Sequence, residues 1–292
     1  MSTAALRLWS GGGWELTEGT RWLGDRLIFT DILAGTLREA PGTRPGDAGV
    51  LARRGVPLGA VAPVAGRPGE WIAAAGTGIA MLGPDGLTWI DRPEAEAPVP
   101  MRMNDGCCDA GGRFWAGSMA CDAVEGAGSL YRTGTDGTVS KVLDGMTIVN
   151  GPAFTADGSL MYVSDTYAGI IYACPVDPPS GEITGRRVFA EIPPPAGAPD
   201  GMTVDTSGRL WVALWDGSAV RRYRPDGSLE AVVPVPARRP TSVCLGGGRL
   251  FVSTARYEVP GPGPEDGAIL AARTDASALP AASFGQPRRD RA

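Results

Sequence analysis

Asn104-Asp105-Gly106, followed by Asp109-Ala110-Gly111-Gly112-Arg113-Phe114-Trp115, is a phrase that this chain repeats with variations. Asn150-Gly151-Pro152 precedes Asp157-Gly158-Ser159-Leu160-Met161-Tyr162, and Asp200-Gly201-Met202 precedes Asp205-Thr206-Ser207-Gly208-Arg209-Leu210-Trp211. Each copy sets a carboxylate or amide beside a glycine, then a short apolar stretch, a turn, and a strand-like run ending in an aromatic residue. The copies recur at about 40–50 residues, the period of propeller blades. A closed ring of such units carries Asn104, Asn150 and Asp200 from distant parts of the chain to one central mouth.

Weaker copies extend the series. Leu23-Gly24-Asp25-Arg26-Leu27-Ile28-Phe29, Gly66–Ala73 and Leu245–Thr254 share the turn-then-strand shape, which places six strand centres near residues 28, 72, 115, 162, 211 and 251. These are expected to be the inner strands. Outer strands follow at Gly128–Arg132 and Val220–Arg224, each closed by an Asp-Gly turn. No stretch of ten or more residues shows the helical period. The expectation is an all-β, six-bladed β-propeller, a single domain over residues 1–279 with a flexible tail over 280–292. With 43 glycines and 26 prolines and no collagen-like period, the composition suits many tight turns. The recurrent aromatics Trp115, Tyr162, Trp211 and Phe251 are expected to pack between blades.

A net charge of −5 lacks the concentrated basic face of a nucleic-acid binder. No apolar run approaches the roughly 20 residues that span a bilayer. Met1–Ser10 shows no secretory signal, and the five cysteines include no C-x-x-C pair, so reduced thiols and a cytoplasmic location are expected. The adjacent Cys107 and Cys108 are expected in the core. Histidine is absent altogether. Chemistry therefore falls to carboxylates, amides, arginines, hydroxyls or a metal held by oxygen.

Glu18, Asn150 and Asp200 each stand just before an expected inner strand. A carboxylate, an amide and a second carboxylate converging on one mouth form a hard, oxygen-only donor set suited to Ca²⁺, Mg²⁺ or Mn²⁺. Taken singly, Asn-Gly and Asp-Gly are ordinary turn dipeptides; recurrence at matching blade positions is what points to a site. Asp31, Asp165 and Asp216, near strand ends, are expected to bind backbone donors.

Glu18-Gly19 with Trp22, Arg102-Met103-Asn104-Asp105-Gly106, Asn150-Gly151 with Tyr162-Val163-Ser164-Asp165, and Pro199-Asp200-Gly201-Met202 with Trp211-Val212-Ala213 together resemble the SMP-30/gluconolactonase/regucalcin-like family of sugar lactonases. The resemblance runs from about residue 15 to residue 255 and implies a six-bladed propeller with one divalent metal ion (Ca, Zn, Mg or Mn) in the central mouth. It implies Glu18, Asn150 and Asp200 as metal ligands, and Arg102 and Asn104 as sugar contacts. Asp122 falls near a family acid as a shorter substitute, with Cys121 the alternative occupant. Thr20 departs from the proline usual after Glu-Gly. Asp105 is expected to support its loop by binding backbone amides. The implied activity is metal-dependent hydrolysis of an aldonolactone, a small-molecule sugar lactone, to the aldonic acid, with Asp200 as general base. A non-catalytic metal-binding regulatory propeller, or a hydrolase of other esters, stays open beside it; the histidine dyad of paraoxonase-type enzymes is missing.

Overall fold

The structure, a computed structural model, describes residues 4–285. Six antiparallel sheets follow one another along the chain: residues 17–53, 58–91, 101–146, 149–191 and 198–234 form blades 1 to 5, and residues 239–273 with the N-terminal strand Arg7–Gly11 form blade 6. Five sheets have four strands; in blade 4 the outer strand is split, Glu182–Ile183 and Arg187–Glu191 both pairing with Ile170–Asp177. Arg7–Gly11 pairs with Ala268–Arg273, so the two ends of the ring share one sheet. The only helical element among the described residues is the single 3-10 turn Pro194–Ala196.

The six expected strand centres fall on real strands, though not on the innermost ones. In each blade the axis is lined by the preceding strand: Thr17–Leu23, Leu58–Pro63, Met101–Cys108, Val149–Phe154, Ala198–Val204 and Arg239–Gly246. These six strands meet around the channel. The aromatic-rich runs are the second strands, buried on both faces between neighbouring blades. That burial explains their continuous apolar character, which alternation alone does not predict.

Trp115, Tyr162, Trp211 and Phe251 are all buried, each in an apolar cluster that joins neighbouring blades. Truncating one of the tryptophans to alanine costs about 3–5 kcal/mol by the cavity rule. The repeated turn has its own fastening. Asp109 accepts backbone N–H bonds from Gly111 and Arg113 and the Trp115 indole N–H at 2.9 Å. Asp205 does the same for Ser207, Arg209 and, at 3.1 Å, Trp211. In these two copies one carboxylate closes the turn and pins the tryptophan six residues later; in the Asn150 copy Asp157 fastens the turn alone, through Thr155 and Ser159.

These turns define the lower face of the ring. The chain end crosses it: Ala278 bridges Asp205 of blade 5, and Phe284 bridges Val64 of blade 2, on the opposite side. Phe284 is buried in the apolar cluster that joins blades 2 and 3. Within the tail expected over 280–292, Phe284 is an aromatic anchor on the ring; 286–292 lie outside the described residues. A cavity of about 1120 Å³ lies behind this strap, lined by Arg21, Cys107, Cys108 and Cys244 among others. Cys108 and Cys244 are buried and Cys107 half-buried, and burial pushes the Cys107 thiol up to about 12.

Candidate active site

At the opposite end of the channel the innermost strands lose register. Pairing with the second strand slips between Glu18 and Arg21, Met103 and Gly106, Asn150 and Ala153, and Pro199 and Met202. A bulge frees residues from the ladder and re-aims their side chains. Glu18, Asn104, Asp105, Asn150 and Asp200 all lie at or inside these slips. In two of these slips the glycine supplies the backbone conformation, Gly19 and Gly151 having φ of 59° and 82°, which residues with a Cβ rarely adopt; at Gly106 and Gly201 a Cβ would collide with the Trp115 and Thr241 carbonyls. The recurrent dipeptide is a bulge signature carried within the innermost strand, not a turn before it.

Glu18, Asn104, Asp105, Asn150 and Asp200 are each between 3% and 5% exposed. Asp200 lies within hydrogen-bonding range of Glu18. Burial, and then the neighbouring carboxylates of Asp200 and Asp105, hold the Glu18 carboxyl well above its usual range. Asp200 is raised likewise, by burial first and Asp105 second. Arg102 is within electrostatic reach of both acids; burial lowers its pKa, and Cys121, Glu18, Asp200 and Tyr257 oppose that shift.

The amides form an ordered row. Arg102 donates to Asn104 Oδ1 at 2.6 Å and to the Met103 carbonyl. Asn104 Nδ2 donates to Asn150 Oδ1 at 2.7 Å and to the Val149 carbonyl. Asn150 Nδ2 donates to the Thr166 hydroxyl at 2.8 Å. Asp105 has both oxygens engaged, one by the Gly106 N–H at 2.7 Å and the other by the Gly151 N–H at 3.2 Å. It therefore braces the bulges of blades 3 and 4, and Arg21 donates to the Gly106 carbonyl beneath it.

Of the residues singled out from sequence, Glu18, Arg102, Asn104, Asn150 and Asp200 come together. Asp122 does not join them: it is exposed on the turn after Phe114–Ala120, and Cys121 is the residue of that turn that Arg102 senses. Tyr257 and Thr166 were not singled out. Thr166 follows Asp165, whose carboxylate receives the Thr147 and Ile148 N–H groups; no local pattern distinguishes its hydroxyl. Asp31 likewise receives the N–H groups of Glu15 and Leu16, and Asp216 pairs with Arg238 and Arg239.

Among the described residues no three histidine, cysteine or acidic side chains converge as a metal-ligand cluster. The donors that fit a hard divalent cation are two buried carboxylates and the Asn150 amide oxygen, while each oxygen of Asp105 already accepts a backbone N–H. Two like charges driven into one buried place are the chemistry that such a cation relieves.

The family model described as SMP-30/Gluconolactonase/LRE-like region matches residues 16–256. The chain belongs to that family. Among its SMP-30/gluconolactonase-like relatives, the chain is 37% identical over 249 residues to pentonolactonase XacC of Haloferax volcanii, covering 82% of each chain. It is 37% identical over 204 residues to L-arabinolactonase of Azospirillum brasilense, covering 67% of this chain and 68% of that one. A solved structure described as a calcium-binding protein, regucalcin, from Agrobacterium tumefaciens superposes with a TM-score of 0.88 at 26% identity, covering 97% of both chains. The six-bladed propeller is thus a fold that this chain shares with the regucalcin structure.

Proposed function

We propose that this protein hydrolyses the ring ester of a sugar lactone, an aldonolactone of the pentonolactone or hexonolactone class, with one divalent cation held by Glu18, Asn150 and Asp200. The observation that carries the proposal is the buried Glu18–Asp200 pair facing the oriented row of Arg102, Asn104 and Asn150. When bound, the cation supplies Lewis-acid polarisation of the carbonyl and a counter-charge for the oxygen that turns negative on attack.

Asp200 is the general base: its carboxylate takes a proton from the attacking water, and burial favours its protonated form. Arg102 spends one Nη on Asn104 and Met103, which leaves Nε and the other Nη as donors for sugar oxygens. Asn104 is nearly saturated by the protein and keeps one lone pair on Oδ1 for a substrate hydroxyl. Its larger task is to hold Arg102 and Asn150 in place. Asp122, on the rim, would meet only the far end of a substrate. All hard oxygen donors accept Ca²⁺, Mg²⁺ or Mn²⁺, and Zn²⁺ also takes carboxylate oxygen; the relationship to a calcium-binding regucalcin supports the divalent cation as a class.

Purified protein, exhaustively chelated and then supplied with each cation, is to be assayed on a panel of aldonolactones with a pH indicator. Hydrolysis restored by a cation supports the proposal. Full activity in demonstrably metal-free protein removes the cation from it, and no turnover of any lactone by cation-loaded protein rejects the lactonase reading.

A further inference from the structure

The row of amides has a direction, and one residue outside the proposed ligand set fixes its far end. The oxygen and nitrogen of an amide are nearly equal in size, so its sense is decided by its partners. At the near end Arg102 can only donate, and the Val149 carbonyl can only accept. Asn104 therefore turns Oδ1 to Arg102 and Nδ2 to Asn150. At the far end the Thr166 hydroxyl lies 2.7 Å from the Pro199 carbonyl, which can only accept. The single hydroxyl proton must go there, so Thr166 can offer Asn150 nothing but a lone pair. Asn150 must then present Nδ2 to Thr166 and Oδ1 to Asn104.

We infer that Thr166 is a positioning residue, which holds the amide of Asn150 with its oxygen toward the cation site and ties that amide to the strand carrying Asp200. The inference rests on the proposed role of Asn150 as a ligand. Thr166 is buried, and its own N–H is held by the Ile148 carbonyl. Its hydroxyl spans two blades: Asn150 lies on the innermost strand of blade 4, and Pro199 immediately precedes Asp200 on that of blade 5. Without the hydroxyl, Asn150 Nδ2 loses its acceptor. Of the two side-chain hydroxyls on the Pro199 carbonyl, only that of Ser164, at 3.5 Å, is then left. Two donors of the site then lose their common brace while every proposed ligand remains present.

The test is cation binding, measured by calorimetry on full-length protein after chelation, for wild type, Thr166→Val and Thr166→Ser. Valine has nearly the shape of threonine and no hydroxyl; serine keeps the hydroxyl. Outer-shell partners of metal ligands are worth roughly 10–100-fold in affinity, so the valine variant should bind its cation that much more weakly. The serine variant should stay within about threefold of wild type, since the net hydrogen bonding is retained. Cation-free thermal unfolding separates a folding defect from a positioning one. A second comparison uses Asn150→Asp, whose carboxylate presents an oxygen whichever way it turns. In that background the penalty of Thr166→Val should shrink by at least about threefold, the coupling expected of residues in one network.

Wild-type affinity in Thr166→Val, no rescue by serine, or an equal penalty in both backgrounds would overturn the inference while leaving the ligand proposal standing. Wild-type protein that binds no divalent cation would overturn both.

Discussion

Asp200→Asn keeps the shape of the side chain and one candidate ligand oxygen, and removes the basic carboxylate. Two consequences of opposite sign follow. A positioned general base contributes about 10²–10⁴-fold, equivalent to roughly 2.7–5.4 kcal/mol of barrier, so turnover should fall by that factor even at saturating cation. Stability of the cation-free protein should rise. Asp200 is buried, its charge disfavours that of Glu18, and the charge of Asp105 disfavours both. At an effective interior dielectric of about 20, close like charges repel by a few kcal/mol, of which a shared proton already relieves part. A net gain of about 1 kcal/mol raises Tm by roughly 2–4 °C in a domain of this size. The assays are lactone hydrolysis against cation concentration, with uncatalysed hydrolysis subtracted, and thermal unfolding after chelation. Excess cation restoring wild-type turnover would show that Asp200 is only a ligand. A cation-free variant less stable than wild type at neutral pH would refute the picture of repelling buried carboxylates.

The same pair sets a pH dependence. Because the folded-state pKa values of Glu18 and Asp200 lie above their unfolded values of about 4, the native state binds the extra protons, and the stability this contributes is lost as pH rises through the folded values. Urea midpoints of the chelated protein should therefore fall toward alkaline pH relative to a Glu18→Gln/Asp200→Asn double variant, and added cation should reverse the trend; parallel profiles contradict this. Phe284→Ala should cost about 3 kcal/mol, the low end of the cavity rule for phenylalanine, seen as a lower Tm, with KM and cation affinity unchanged because the strap closes the mouth opposite the site; a raised KM would mean that the two mouths are coupled.

The repeated acid-or-amide plus glycine, the turn and the aromatic strand carry the blade count and the all-β class, because each is a local device. The glycines at 19 and 151 permit positive φ in their bulges, and the turn of blades 3 and 5 uses an aspartate six residues before the tryptophan it pins. For the same reason Glu18, Asn150 and Asp200 could be singled out as residues that a ring brings together. Which strand faces the axis was not legible, since the channel-lining strands carry the polar site residues and glycines within them and read as turns ahead of the apolar second strands. Nor was the Phe284 anchor, whose partners lie in blades 2 and 3, or the exposure of Asp122. The direction of the amide row is a tertiary property throughout. Asn104 and Asn150 are 46 residues apart, and Thr166 and Pro199 are 33 apart. Donor and acceptor roles along the row are settled only when closure of the ring sets a guanidinium at one end and a backbone carbonyl at the other.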